Sequence, residues 1–216
     1  MANFTNWRNT MKTKRKLLGS MGKNFETNDV IAAYGHTAGL TCPMKGDCAK
    51  PCYADEKGRF AFPNVKDKRY WNFLQSKQDD FTTRIISEIV AKDVDVIRIH
   101  DGGDFYSPKY IEKWISIAAN LPNVRFYAYT KTVSYFLGKK LPKNLIITYS
   151  FGGKEDHLID TRKHRHCHVF KDAASLKRSG YLDVSKDDSL TCYKTRNKKI
   201  GIVYHGARTK LWYTKE

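Results

Sequence analysis

The stretch VDVIRIH (residues 94–100) carries the strongest strand signal in the chain, and the rest of the fold can be worked out from it. Its valines and isoleucines favour a buried strand, and the turn residues DGGD (101–104) end it. A helix is predicted next, with Ser107 as its N-cap and Pro108 in its first position. The apolar residues after Pro108 recur at helical spacing, so this helix should pack one face against the strand.

Two further strands follow in the same manner. VRFYAY (124–129) and LIITYS (145–150) are apolar runs bounded by turn residues, and a short helix is predicted between them at 133–137. Upstream, the apolar spacing predicts two amphipathic helices, at 66–77 and 79–91. Strands that alternate with helices indicate a parallel sheet. The predicted fold class is therefore α/β, either a partial (β/α) barrel or an open parallel sheet.

The carboxyl ends of these strands are the predicted place for a site, because ligands of parallel α/β sheets collect there. Polar residues follow each strand directly, and the candidate catalytic residues are Asp101, Asp104 and Lys131. Paired carboxylates at a strand end can bind a hydroxyl group, hold a cation or act as acid and base. The alternative is turn and helix-cap chemistry. His100 is equally compatible with a catalytic base and with a buried structural histidine.

The segment TCPMKGDCAKPCYA (41–54) places three of the five cysteines in a C-x5-C-x3-C pattern. Prolines and a glycine interrupt it, so an irregular loop is predicted. Cys42, Cys48 and Cys52 are the predicted ligands of a metal, either zinc or an iron–sulfur cluster. Cys192 is the preferred fourth ligand, with Cys167 as the alternative. If neither binds, one coordination position stays open for a substrate or cofactor.

The domain organisation expected is simple. A chain of 216 residues forms one domain by default. We expect a basic N-terminal arm over residues 1–25 and a single α/β metal-binding domain over residues 26–216. Within that domain, residues 28–34 are strand or helix, residues 60–63 are extended, and residues 198–206 form a last strand and turn.

The charge points to a polyanionic partner. Lys and Arg number 39 against 22 Asp and Glu, a formal net charge of +17, which favours nucleic acid through phosphate contacts. A solvated basic surface is the alternative. The N-terminus lacks the apolar run of a signal peptide, and the chain has no apolar run of about 18 residues that would span a membrane. With clustered, odd-numbered cysteines, these features predict a cytoplasmic protein without membrane contact.

Several motifs together resemble the phage family called "gene product 88". They are TCPMKGDCAKPCYA (41–54), IRIHDGGDFYSPKYIEKW (97–114), LPKNLIITYS (141–150) and a terminal Ile-x-x-x-His-Gly (202–206). The resemblance covers most of the chain. It implies a phage protein, and hence the host cytoplasm as its location.

A second resemblance is to radical S-adenosylmethionine-like phage proteins. Cys52-Tyr53-Ala54, Asp104-Phe105 and Thr130-Lys131 look like that family's marks, in the same order. This resemblance implies a partial (β/α) barrel that holds a [4Fe-4S] cluster, with S-adenosylmethionine on the open iron. The residues that would then lie near the cofactor are His100, Gly102, Gly103, Asp104 and Thr130.

Three functions are compatible with these features. The first is an iron–sulfur, radical-S-adenosylmethionine-like enzyme that modifies a base or sugar of nucleic acid. The second is a non-catalytic nucleic-acid-binding protein with a structural four-thiolate zinc or iron–sulfur site. The third is base exchange by a transglycosylase-like protein that uses Asp101 or Asp104 as its nucleophile. Neither the substrate nor the oligomeric state follows from the sequence.

Overall fold

The computed structural model describes residues 15–23, 27–54, 58–186, 188–192 and 198–204. Within these ranges the strands are β1 (Gly19–Lys23), β2 (Val30–Tyr34), β3 (Val96–Ile99), β4 (Arg125–Thr130), β5 (Leu145–Ser150), β6 (His166–Phe170), β7 (Leu182–Asp183) and β8 (Lys199–Val203). The α-helices are α1 (Pro63–Ser76), α2 (Phe81–Ala91), α3 (Pro108–Asn120), α4 (Ala173–Ser179) and α5 (Ser189–Cys192). None of the helices in the described ranges is long and apolar enough to cross a bilayer.

The strands form one sheet in the order β1-β2-β3-β4-β5-β6-β8-β7. Every neighbouring pair is parallel except β1 and β2, which run antiparallel with a register shift between Ser20 and Gly22. The sheet is open, with β1 and the two-residue β7 at its edges. The α/β prediction is confirmed, and the three central strands are parallel neighbours as their sequence order indicated.

One face of the sheet carries the main core. Helices α2 and α3 cover it with apolar stripes that include Ile85, Ile89, Trp114 and Ile117, all fully or almost fully buried. Ser107 caps α3, because its side chain accepts a hydrogen bond from the backbone N–H of Tyr110. Burial of such large side chains contributes about 1.5–3 kcal/mol each to folding. Helix α1 lies beside them and buries a polar face instead, through Arg69, Asn72 and Ser76.

The other face carries a smaller core and a polar cluster. Asp188 accepts hydrogen bonds from Arg98 (2.6 Å), Tyr127 (3.0 Å) and Tyr129 (3.2 Å), which project from β3 and β4. These contacts hold the start of α5 against the sheet.

Three local predictions are wrong or incomplete. Of residues 60–63 only Phe62 is extended, because a 3-10 helix covers Gly58–Ala61 and α1 begins at Pro63. Residues 133–137 form turns rather than a helix, with hydrogen bonds from the N–H of Phe136 to Val133 O and from Lys139 to Phe136 O. Part of the predicted N-terminal arm belongs to the domain: Leu17 and Leu18 are buried and β1 joins the sheet, whereas residues 1–14 and 24–26 lie outside the described ranges.

Candidate functional site at the carboxyl edge of the sheet

The predicted site residues collect where the parallel strands end. We call this region the carboxyl edge: the loops that begin at Gly35 after β2, His100 after β3, Lys131 after β4 and Phe151 after β5. The first two loops are joined directly, because the backbone N–H of His36 donates to the carbonyl oxygen of Gly102 (2.8 Å). The topology therefore brings segments that are far apart in sequence to one edge.

The cysteine loop, residues 41–54, lies across this edge. Its Cys48 N–H donates to Gly152 O (3.1 Å), and the N–H of Lys154 donates back to Met44 O (3.0 Å). The hydroxyl of Tyr204, beyond the end of β8, donates to Pro51 O (2.6 Å). Gly46 allows this docking, since a Cβ there would lie 2.9 Å from the carbonyl carbon of Gly153.

Among the three clustered cysteines, Cys42 has a pKa that its surroundings shift. Burial raises the pKa of Cys42 to about 12, with further contributions from the charges of Asp104, Cys52 and Cys48. This thiol is therefore protonated at neutral pH, and it would have to lose its proton to act as a nucleophile or a metal ligand. Cys52 packs beside the small apolar cluster of Ala38, Ala54 and Phe60.

The two remaining cysteines lie outside this loop. Cys167 is on β6 beside the carboxyl end of β5, because its carbonyl oxygen accepts from Phe151 N–H (2.9 Å). Cys192 packs against Val96 and Tyr127 on the α5 face of the sheet, and it lines a cavity with the residues that precede β4 and β5, at the opposite edge. Cys167 is buried beside Val184 and Ile200, and burial raises its pKa to about 12. The structure thus brings Cys42, Cys48 and Cys52 into one loop and places Cys192 away from them.

The described residues do not fit a metal centre as they lie. Among them, no group of three His, Cys, Asp or Glu side chains is arranged to hold a metal ion. A four-thiolate site closed by Cys192 also conflicts with its place at the opposite edge. We therefore derive no chemical step through zinc, an iron–sulfur cluster or S-adenosylmethionine.

Asp104 is buried, and both of its carboxylate oxygens accept hydrogen bonds. One carboxylate oxygen accepts from Phe105 N–H (2.7 Å) and the Thr130 hydroxyl (2.6 Å), and the other accepts from Lys131 N–H (2.9 Å). Burial raises the pKa of Asp104, and these hydrogen bonds oppose that rise. The carboxylate ties the loop after β3 to the end of β4, which is a positioning role.

Asp101 and the two glycines surround Arg69 of α1. Asp101 forms an ion pair with Arg69 (2.6 Å), and its carbonyl oxygen accepts from the Tyr53 hydroxyl (3.0 Å). A Cβ on Gly102 would lie 2.6 Å from the Arg69 guanidinium. Gly103 has φ +85°, and a Cβ there would lie 2.5 Å from Thr41 Oγ1, so only glycine suits this turn.

Lys131 is directed at the end of β5. Its ammonium group donates to Ser150 Oγ (2.8 Å), Ser150 O (3.3 Å) and Phe151 O (3.0 Å). It therefore fixes the loop on which the cysteine loop docks. These bonds engage the three donors of an ammonium group.

His100 pairs with a second histidine that the sequence analysis missed. His100 has φ +66°, and its Nε2 lies 3.0 Å from the Tyr110 hydroxyl. His36 lies 5.2 Å away, ring centre to ring centre. Burial lowers the pKa of His100 to about 3 and holds that of His36 well below its usual value.

The tautomer of His36 follows from its neighbours. Tyr34 donates its hydroxyl proton to Asn72 O (2.7 Å), so His36 Nε2 is the donor to Tyr34 Oη (3.0 Å). His36 Nδ1 then keeps a buried lone pair, for which the described part of the chain provides no hydrogen-bond donor. The sequence signal for His36 is its place directly after an apolar segment, as for His100.

The sequence was compared with protein-family models, with curated proteins and with solved structures. The family model "Gene product 88" matches residues 4–215. The "Gene 88 protein" of Mycobacterium phage L5 is 36% identical over 126 residues, and that of Mycobacterium phage D29 is 34% identical over 126 residues. Each match covers 52% of this chain and 52% of the relative, so the chain spans about half the length of these curated relatives. No solved structure gives a significant match.

These matches support one of the two resemblances. Nothing in them supports the likeness to radical S-adenosylmethionine proteins, and the relatives named are both phage proteins. Because the family model covers almost the whole sequence, the chain belongs to the gene product 88 family.

Proposed function

We propose that this protein binds nucleic acid and that the carboxyl edge with its cysteine loop is the contact surface. The observation that carries the proposal is an exposed basic and aromatic patch at this edge. It comprises Lys45 and Lys50 of the cysteine loop, Lys66 of α1 and Tyr53, a residue that is 52% exposed. The formal net charge of +17 supplies the long-range attraction.

The physical basis is contact with phosphates and release of counterions. Each phosphate that a lysine neutralises releases condensed cations, so affinity falls as salt rises. An exposed tyrosine adds stacking with bases, which tolerates any sequence. We therefore expect an affinity for nucleic acid that falls steeply with salt concentration and depends little on the nucleotide sequence.

Fluorescence anisotropy with labelled DNA and RNA oligonucleotides, single- and double-stranded, tests this over a salt series. We expect log Kobs to fall linearly with log salt concentration. The Lys45→Gln/Lys50→Gln double variant should lower that slope by about 2. Lys143→Gln is the matched control, because Lys143 is an exposed lysine at the opposite edge. Absence of binding, or an equal loss in the control, would contradict the proposal.

The iron–sulfur and zinc hypotheses stay predictions from the cysteine spacing. Cys42, Cys48 and Cys52 share one loop, but the pKa of Cys42 is raised to about 12, so this thiol would have to lose its proton to bind a metal. Iron, zinc and labile-sulfide analysis of anaerobically prepared protein tests both, with Cys42→Ser as the variant. A metal-free protein would contradict them. Cleavage of S-adenosylmethionine under reduction would be needed before any radical chemistry is considered.

The base-exchange hypothesis has less support. Asp104 already accepts three hydrogen bonds, and Asp101 forms an ion pair with Arg69. Both carboxylates therefore act in positioning neighbouring groups, and neither is presented as a nucleophile. The hypothesis stays a prediction from the sequence.

A further inference from the structure

A groove opens at the carboxyl edge between α1 and the loop after β2. We call it the α1 groove. Its lining includes Thr37, Ala38, Phe60, Lys66, Arg69 and Tyr70, and its volume is about 310 Å³. That volume is at the lower end of small-molecule sites, so it suits one compact group and excludes a double helix.

The wall of the groove holds two polar groups with unused hydrogen-bonding capacity. Arg69 is only 8% exposed; its Nη2 binds Asp101 (2.6 Å), and its Nη1 donates to His36 O (3.4 Å). Within the described ranges, Arg69 Nε and Thr37 Oγ1 are buried atoms without a hydrogen-bond partner. Both groups carry a proton to donate, so the acceptor that suits both is an anionic oxygen such as that of a phosphate.

The rim of the groove provides a cation and an aromatic ring. Lys66 and Tyr70 are exposed and stand one helical turn apart on the same face of α1. Tyr70 as a residue is 49% exposed. Asp67 also lines the groove, but its carboxylate is paired with Arg15 (2.7 Å), so it opposes an anion less than a free carboxylate would.

We propose that the α1 groove binds one unpaired nucleotide of a single-stranded nucleic acid. Lys66 binds the phosphate at the rim, the enclosed Arg69 and Thr37 donate to it once the wall side chains move to admit it, and the base stacks on Tyr70. This rests on the proposed function and narrows it, because a base presents its face to a protein ring only when it is not enclosed in a duplex.

The test is a competition assay between single-stranded and duplex oligonucleotides of one sequence, on the wild type and three variants. The wild type should bind the single strand more tightly. Tyr70→Leu should weaken single-strand binding about 10-fold, as expected for the loss of one stacked base, and leave duplex binding unchanged. Tyr70→Phe keeps the stacking face and should bind like the wild type. Lys143→Gln at the opposite edge is the charge control.

The outcomes separate this inference from the proposed function. If Tyr70→Leu binds the single strand as the wild type does, while Lys45→Gln/Lys50→Gln weakens both forms, the groove inference is overturned and the nucleic-acid surface stands. A second measurement uses a nucleoside monophosphate alone and follows its binding by calorimetry. The wild type could bind the nucleoside monophosphate, lose that binding in Tyr70→Leu, and yet bind no oligonucleotide. That result would support a nucleotide groove and overturn the proposed function.

Discussion

The histidines His36 and His100 are buried among aromatic rings at the carboxyl edge, where solvent does little to stabilise a positive charge. Burial and the nearby Arg69 both disfavour protonation, so both pKa values are lowered. A group whose pKa is lower in the folded state than in the unfolded state binds protons preferentially on unfolding. These two residues therefore make folding dependent on pH.

We expect the free energy of unfolding to fall as the pH drops below about 6.5, the ordinary histidine value. The contribution of His100 is complete above that pH and is lost progressively toward its folded-state pKa of about 3. Each histidine contributes a slope of up to about 1.4 kcal/mol per pH unit. Urea unfolding at a series of pH values measures it.

His100→Asn isolates one residue, because asparagine tolerates the positive φ that His100 adopts. The variant should lose about half of the histidine-dependent slope. His157→Asn is the control, since His157 is exposed. An unchanged slope in His100→Asn would show that His100 does not titrate with folding.

The position of these residues was easier to predict than their role. His100, Asp104 and Lys131 follow apolar strands, and the rule that sites form at strand ends placed them correctly at one edge. Their partners were not predictable, since the bond from Thr130 to Asp104 depends on the register of β3 against β4. His36 was missed because residues 28–34 read equally well as strand or helix.

At the scale of elements, the cysteine loop depends on the loop after β5 for its position. Asp156 organises that second loop by accepting hydrogen bonds from the N–H groups of Gly152 (2.8 Å) and Gly153 (2.9 Å). The cysteine loop then docks through Cys48 N–H and Met44 O. A single carboxylate thus supports the placement of a loop more than a hundred residues earlier in the sequence.

Asp156→Ala should loosen this docking and destabilise the protein by about 1–3 kcal/mol, because it leaves two backbone donors without their acceptor. The amide protons of Cys48 and Lys154 should exchange faster with solvent, as measured by hydrogen–deuterium exchange. Asp172→Ala, which removes the N-cap of α4, is the matched control with a similar cost. Equal exchange at Cys48 in both variants would argue against the coupling.

The elements that were predicted well have strong periodic patterns. The strands β3, β4 and β5 and the helices α2 and α3 match their predicted ranges closely. The helix prediction for residues 133–137 was wrong because the spacing of Val133 and Phe136 suits two successive turns as well as one helix. No element was predicted for the residues of helix α4, although Asp172 and Gly180 cap its two ends.

At the scale of the whole molecule, the sheet separates the thiols. Cys42, Cys48 and Cys52 lie at the carboxyl edge, whereas Cys192 packs beside Val96, the first residue of β3. A closed four-thiolate site would require Cys192 to move from the start of β3 to beyond its carboxyl end. The arrangement favours an apolar packing role for Cys192.

Cys192→Ala therefore should cost only about 1–2 kcal/mol of unfolding free energy, the loss from one small buried side chain. Any metal that the protein binds should be retained by this variant and lost in Cys42→Ser. Thermal unfolding together with metal analysis of both variants measures these effects. Collapse of the fold with loss of metal in Cys192→Ala would restore Cys192 as a ligand.

The placement of Cys192 could not be predicted from the sequence. It depends on where α5 packs, because the contacts of Asp188 with Arg98 and Tyr127 hold this helix against β3 and β4. Sequence patterns predict which segments form elements, but they do not determine which distant residues meet in the fold. The preference for Cys192 as fourth ligand rested on sequence position alone.

The outermost strands of the sheet, β1 and β7, also have a consequence for how copies of the protein associate. An exposed edge strand offers unpaired backbone groups to a strand of another molecule. Here β1 is irregular at Ser20 and Gly22 and ends at the exposed Lys23, and β7 is only two residues long. Both features hinder continuous strand pairing. In a crowded cell this would disfavour pairing of the outermost strands of different molecules into fibres. Copies that associate would then do so through side chains.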